Sequence, residues 1–204
     1  MSKRVLVAIL AIGLTSAAQT WGEERANSWP PVEKGTSTWG LTFNVGVSHD
    51  IWDGVPGVGF HSTGVRVGRF FGIWGPSHLR GRIAFEVEIQ PVFLMFQATS
   101  TYAFSTTLLG SHYFIVDSKL RPFVSFGAGV VLSAGDIPAE TSRVNFTPQI
   151  GLGIAFAGRG GTVYAFEYRL HHISNGSLVD NNPGINSSFI QFSFSHFRER
   201  RRPD

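Results

Sequence analysis

The stretch "LHHISNGSLVDNNPGIN", Leu170 to Asn186, carries a histidine two residues before a serine, His172 and Ser174. An imidazole and a hydroxyl can serve as base and nucleophile of an acyl-enzyme hydrolase when base nitrogen and Oγ approach to about 2.6–3.2 Å. On a strand, residues i and i+2 share a face about 6.5–7 Å apart at the backbone. A histidine ring covers that gap if the strand end bends. Such a base needs a third group to orient it, and Asn186 is the polar residue at which regular alternation resumes after the loop. The same residues also suit a plainer reading, the polar rim of a strand running into water, because a two-residue match is a weak motif.

A period-two pattern must position them. In "GTVYAFEYRLHHIS", Tyr164, Phe166, Tyr168, Leu170, His172 and Ser174 share one face, opposite Val163, Ala165, Glu167, Arg169 and His171. The second face holds the ion-pair formers, as a barrel lumen does, so His172 and Ser174 fall on the lipid-facing wall. By the same parity Asn186, Ser188, Ile190, Phe192 and Phe194 form the outward face of the following strand. Similar alternation marks "WGLTFNVGVSHD", "RIAFEVEIQ" and "RVNFTPQIGLGIAF", and "RPFVSFGAGVVL" follows it less cleanly. Several runs exceed ten residues, long enough to cross a bilayer at a tilt. Eight strands are expected, near 38–50, 57–71, 80–97, 101–115, 120–134, 142–157, 161–174 and 186–197. The fold class is therefore all-β, an eight-stranded antiparallel up-and-down transmembrane β-barrel. With both ends in the periplasm, segments 50–57, 134–141 and 175–185 fall outside the cell.

Composition agrees. The 204 residues include 24 Gly and 18 Phe, and only 15% are charged, which favours strands over helices. The absence of cysteine excludes disulfides and thiolate-bound metal. His49, His61, His78, His112 and His196 are scattered over separate segments, so no metal-ligand cluster and no cofactor is expected. Glu86, Glu88, Glu167, Arg66, Arg82 and Arg169 read as a structural polar core of the lumen. "MSKRVLVAILAIGLTSAAQT" has two basic residues, a short apolar run and small residues, the pattern of a signal peptide over 1–18. A polar linker follows over 19–35, the barrel over 36–197 and a basic tail over 198–204. The net charge is +3, and loss of Lys3 and Arg4 leaves +1, so no nucleic-acid partner is implied.

"HHISNGSLVDNNPGIN" on a late strand, before a short aromatic one, resembles the signature of the lipid A 3-O-deacylase (PagL) family, acyloxyacyl hydrolase-like outer-membrane barrels. The shared core is H-x-S-N, here His172 to Asn175, then N-x-G-I, here Asn182 to Ile185. The resemblance implies an outer-membrane serine esterase that removes the 3-hydroxyacyl chain from the 3-position of lipid A. It implies Ser174 as nucleophile, His172 as base, and Asn175 as part of the oxyanion hole. The family's acidic member falls at Asn186, with Asp180 as a substitute acid, and Ser177 stands where the family tends to have glycine. Acyl chains would lie along Tyr164, Phe166, Phe192 and Phe194. The implied partners are lipopolysaccharide and the surrounding outer-membrane lipid, with room for a homodimer. Two other readings use the same scaffold: a barrel that has lost catalysis, and a lipid A acyltransferase.

Overall fold

The structure is a computed structural model that describes residues 29–30, 32–115 and 120–198. The expected signal peptide, the first part of the linker and nearly all of the basic tail lie outside these residues.

Nine strands build the wall: β1 Ser37–His49, β2 Gly59–Trp74, β3 Gly81–Phe96, β4 Thr101–Phe114, β5 Leu120–Ser133, β6 Val144–Phe146, β7 Gln149–Ala157, β8 Thr162–Ile173 and β9 Ile185–Arg198. Neighbouring strands pair antiparallel, β6 and β7 both pairing with β5, and β1 pairs β9, which closes the sheet and leaves it without an edge. The barrel nevertheless has eight staves, as the alternation predicts, because β6 and β7 are one stave interrupted at Pro148. The register does not slip there. Gln149 faces His171 and Phe146 faces Ser174, the same offset on both sides of the break. Proline has no N–H, so the ladder lacks one bond while His172 N–H still donates to the Pro148 carbonyl at 3.0 Å.

The exterior is apolar. Along β1, Trp39, Leu41, Phe43, Val45 and Val47 are exposed, while Thr38, Thr42, Asn44 and Ser48 are buried. The same division holds on β8, where Phe166, Tyr168 and Leu170 point out and Glu167, Arg169 and His171 point in. An apolar outside around a polar inside inverts the soluble rule and suits a bilayer.

Three layers fill the interior. At the end where β1 begins and β9 finishes, Val32, Phe70, Tyr113, Phe123 and Phe197 pack together, and Trp29 meets Phe197 edge-on at 6.1 Å. The last residues of the polar linker are therefore part of this plug. Their apolar members, Trp29 and Val32, find their burial there, and the Arg121 guanidinium lies 4.5 Å from the Trp29 ring centre. In the middle, Arg66 pairs with Glu88 at 2.5 Å and Arg169 with Glu167 at 2.7 Å. Arg169 also reaches Glu88 at 3.3 Å and donates to Gln149 at 2.7 Å. Gln191 donates to Asn44 at 2.7 Å. At the loop end, Phe60, Phe93, Met95, Ile173, Ile185 and Phe189 form a second apolar plug. The barrel is thus filled and is not a pore. Arg82, expected in the polar core, sits outside this network and is only partly buried.

Removing one member of a buried charge network leaves the others uncompensated, at a cost of about 3–5 kcal/mol. Arg169→Leu is expected to lower barrel stability by that order, read as a shift of the urea midpoint in detergent or vesicles. An unchanged midpoint would show that the network contributes nothing net.

Candidate active site

The site forms where β8 and β9 leave the sheet. His172 and Asn186 are direct cross-strand partners, and on the other side of β9 His49 faces Asn186. Pro148, His172, Asn186 and His49 thus lie on one rung across four staves. Ile173 and Ile185 are fully buried in the loop-end plug. Because side chains alternate, burying these two isoleucines turns His172, Ser174 and Asn186 outward. The three sequence candidates therefore share one external patch.

His172 Nδ1 lies 2.6 Å from Asn186 Oδ1, and Asn186 Nδ2 donates to the Ile51 carbonyl at 2.6 Å. The second contact settles the first. A carbonyl only accepts, so the amide nitrogen must face Ile51 and the amide oxygen must face the histidine. That oxygen needs a donor, so Nδ1 carries the hydrogen and Nε2 keeps its lone pair as the basic nitrogen. Asp180 is exposed in the loop, and it is Asn186 that meets His172.

Ser174 is anchored through its backbone. Its N–H donates to the Phe146 carbonyl at 3.1 Å, and its own carbonyl accepts from Phe146 N–H at 2.7 Å. No hydrogen bond joins its hydroxyl to His172 among the described residues, a separation common in unliganded sites.

Asn175 turns inward and is 1% exposed. Its amide clasps the loop: Nδ2 donates to the Asn181 carbonyl at 2.9 Å, and Oδ1 accepts from Ser177 N–H at 2.8 Å. Its own N–H donates to Asn182 Oδ1 at 3.0 Å. Gly176 and Ser177 follow in left-handed backbone, φ 61° and 64°. A position that needs positive φ explains why glycine would be natural at 177, and the Asn175 side-chain bond holds the serine there. Gly176 N–H, next but one to Ser174, has no partner among the described residues.

Gly184 completes the floor. Its φ is +69°, and a Cβ there would come within 2.9 Å of His172 Cε1. Its carbonyl accepts from Val55 N–H at 3.1 Å, tying the β1–β2 loop to the site. Sequence reasoning named the N-x-G-I pattern but missed that loop, whose Ile51 contribution is a backbone carbonyl and leaves no residue-type signal.

The model of the lipid A 3-O-deacylase (PagL) family matches residues 25–195. Among solved structures, the outer-membrane enzyme PagL aligns with TM-score 0.53 and 22% identity, over 76% of this chain and 97% of that one. Neisserial surface protein A aligns with TM-score 0.49 and 12% identity, over 79% and 95%. A search of curated protein sequences found no match. The PagL likeness extends the shared architecture over nearly the whole barrel, and the family match spans every residue of the patch just described. The chain belongs to the lipid A 3-O-deacylase (PagL) family.

Proposed function

We propose that this outer-membrane barrel hydrolyses the ester at the 3-position of lipid A, with Ser174 as nucleophile and His172 as general base. The observation that carries this reading is the Ile51–Asn186–His172 relay. Replacing the acid of a triad by asparagine normally fails because the amide can present its NH2 group and impose the wrong histidine tautomer. Here the Ile51 carbonyl takes the NH2 group and turns the oxygen toward Nδ1. Asparagine can then orient the base, although it lends the imidazolium a dipole and not a full charge.

The steps follow from the atoms. Ser174 Oγ attacks the ester carbonyl while His172 Nε2 takes its proton. The imidazolium returns that proton to the departing sugar oxygen, leaving the acyl chain on Ser174. Water, deprotonated by the same nitrogen, then attacks the acyl carbonyl; the bond to Ser174 Oγ breaks, the imidazolium returns the proton to Oγ, and the 3-hydroxy fatty acid leaves. Developing oxyanion charge needs a fixed donor. The unpaired Gly176 N–H is the nearest candidate, held in place by the loop that Asn175 clasps.

Placement supports the substrate. With the Trp29 and Phe197 end of the barrel on the periplasmic side, the loop end faces outward and the patch meets the outer leaflet. The aromatic cluster of Tyr164, Phe166 and Phe192 lies lower than a bound chain needs. Phe166 is eight residues below Ser174, about 26 Å along the strand, or about 19 Å of depth at a tilt near 45°. One leaflet of hydrocarbon is about 15 Å deep, half the usual core. The exposed Leu170, Ile150 and Ile190 are therefore the nearer wall for the acyl chain.

Mass spectrometry of lipid A from cells expressing the protein is expected to show loss of one ester-linked 3-hydroxyacyl group, and none with Ser174→Ala. Unchanged lipid A with the wild type would defeat the reading. Asn186→Ala removes the orienting contact and should lower kcat about 100-fold, the low end of a general base's contribution. A loss under threefold would show that Asn186 does not position the base. Gly184→Ala forces a strained backbone, costing about 1–3 kcal/mol, and pushes the His172 ring. Its expected signature is a folded barrel with depressed kcat.

A further inference from the structure

One rung below the His172–Asn186 pair, the outer wall carries a second polar cluster. Ser188 faces Leu170 across the strand pair and Val47 on β1. Two diagonal neighbours reach it. His49 Nε2 lies 2.8 Å from Ser188 Oγ, and Tyr168 Oη lies 2.6 Å from the same oxygen. Tyr168 is half exposed, and the neighbouring outward residues Val47, Leu170 and Ile190 are apolar and exposed. A hydrogen-bonding trio on a wall that faces lipid is costly unless its polar groups are satisfied.

Counting hydrogens shows that they are not all satisfied. Tyrosine and serine each bring one O–H, and a neutral histidine brings one N–H. The two contacts use two of these three donors. If tyrosine donates to serine and serine to histidine, His49 Nδ1–H is left over. If the chain runs the other way, the tyrosine O–H is left over. If both neighbours donate to serine, its own hydroxyl is left over. Every arrangement leaves one donor, and no other contact of these three side chains supplies an acceptor among the described residues. Hydrocarbon offers none. The carbonyl of an acyl linkage is an acceptor of the required kind.

The geometry points to Ser188, Tyr168 and His49 as a binding subsite for the carbonyl of a second acyl linkage on the lipid whose ester is cut at Ser174. This rests on the proposed lipid A esterase reading. Distance selects the linkage. Ser188 is one rung, about 7 Å, below His172 and two rungs, about 13 Å, below Ser174. The departing chain's carbonyl must sit at Ser174 and is too far away. An amide- or ester-linked chain on the neighbouring sugar carbon descends beside it, and its linkage passes the cluster. The subsite would favour substrates acylated at adjacent positions and hold the sugar in one orientation.

The test uses two synthetic glucosamine phospholipids, one acylated at positions 2 and 3 and one at position 3 only. Binding is measured to the full-length Ser174→Ala protein in detergent, so that no turnover intervenes. Adding Ser188→Ala or Tyr168→Phe is expected to lower the preference for the diacylated probe about tenfold, the order of one hydrogen bond. Tyr168→Phe keeps the ring and decides the matter if Ser188→Ala does not fold. An unchanged preference in a folded variant overturns the subsite. So does equal competition by phosphatidylethanolamine vesicles, which would assign the cluster to bulk lipid. Hydrolysis by the wild type is read separately. A wild type that binds with the expected preference but cleaves neither probe sinks the esterase reading and leaves the subsite standing. Cleavage with an unchanged preference does the reverse.

Discussion

The constraint on which the site depends is the burial of Ile173 and Ile185. Each sits beside the residues that face outward, and each is fully enclosed in the loop-end plug. Side chains on a strand alternate with period two, so a slip of one residue would carry His172, Ser174 and Asn186 into the interior. It would also put Glu167 and Arg169 into lipid. The two penalties act together, one apolar and one electrostatic, and they lock a single register along β8. The polar chemistry of the patch is thus held by side chains that take no part in it.

The same logic explains why a proline is tolerated inside the sheet. Pro148 removes one ladder bond beside His172, yet the register is equal on both sides of it. Ser174 continues the pairing through two hydrogen bonds to Phe146. The stave is weakened next to the candidate base without being redirected. Below it, the closed ladder and the buried ion network keep the rest of the barrel rigid. A precise patch on the outside of a barrel needs such a filled interior, since an open lumen would let the wall flex.

Asparagine at position 186 shows how backbone can complete a side chain's chemistry. Read by residue type, it is a weaker version of an acid. Read with the Ile51 carbonyl beside it, it becomes an oriented acceptor with a defined tautomer on the histidine. Ser177 makes a parallel case. Its left-handed backbone would suit glycine, and the Asn175 side chain supplies the local bond that holds a serine there.

Alternation in the amino-acid sequence was sufficient to determine the all-β class, the number of staves and the outward direction of His172, Ser174 and Asn186. These follow from local periodicity and from where the charges fall. The family motif was legible for the same reason, being confined to one short stretch. Only the tertiary structure decided that Asn186, and not Asp180, meets the histidine, because that choice is made by cross-strand register. It alone revealed the Ile51 carbonyl, which any residue at that position could offer. It alone brought His49 from the first strand to Ser188 on the last, since barrel closure joins residues that are 139 positions apart. Side-chain parity is written locally, but contacts made by backbone atoms and by ring closure leave no pattern in a linear chain.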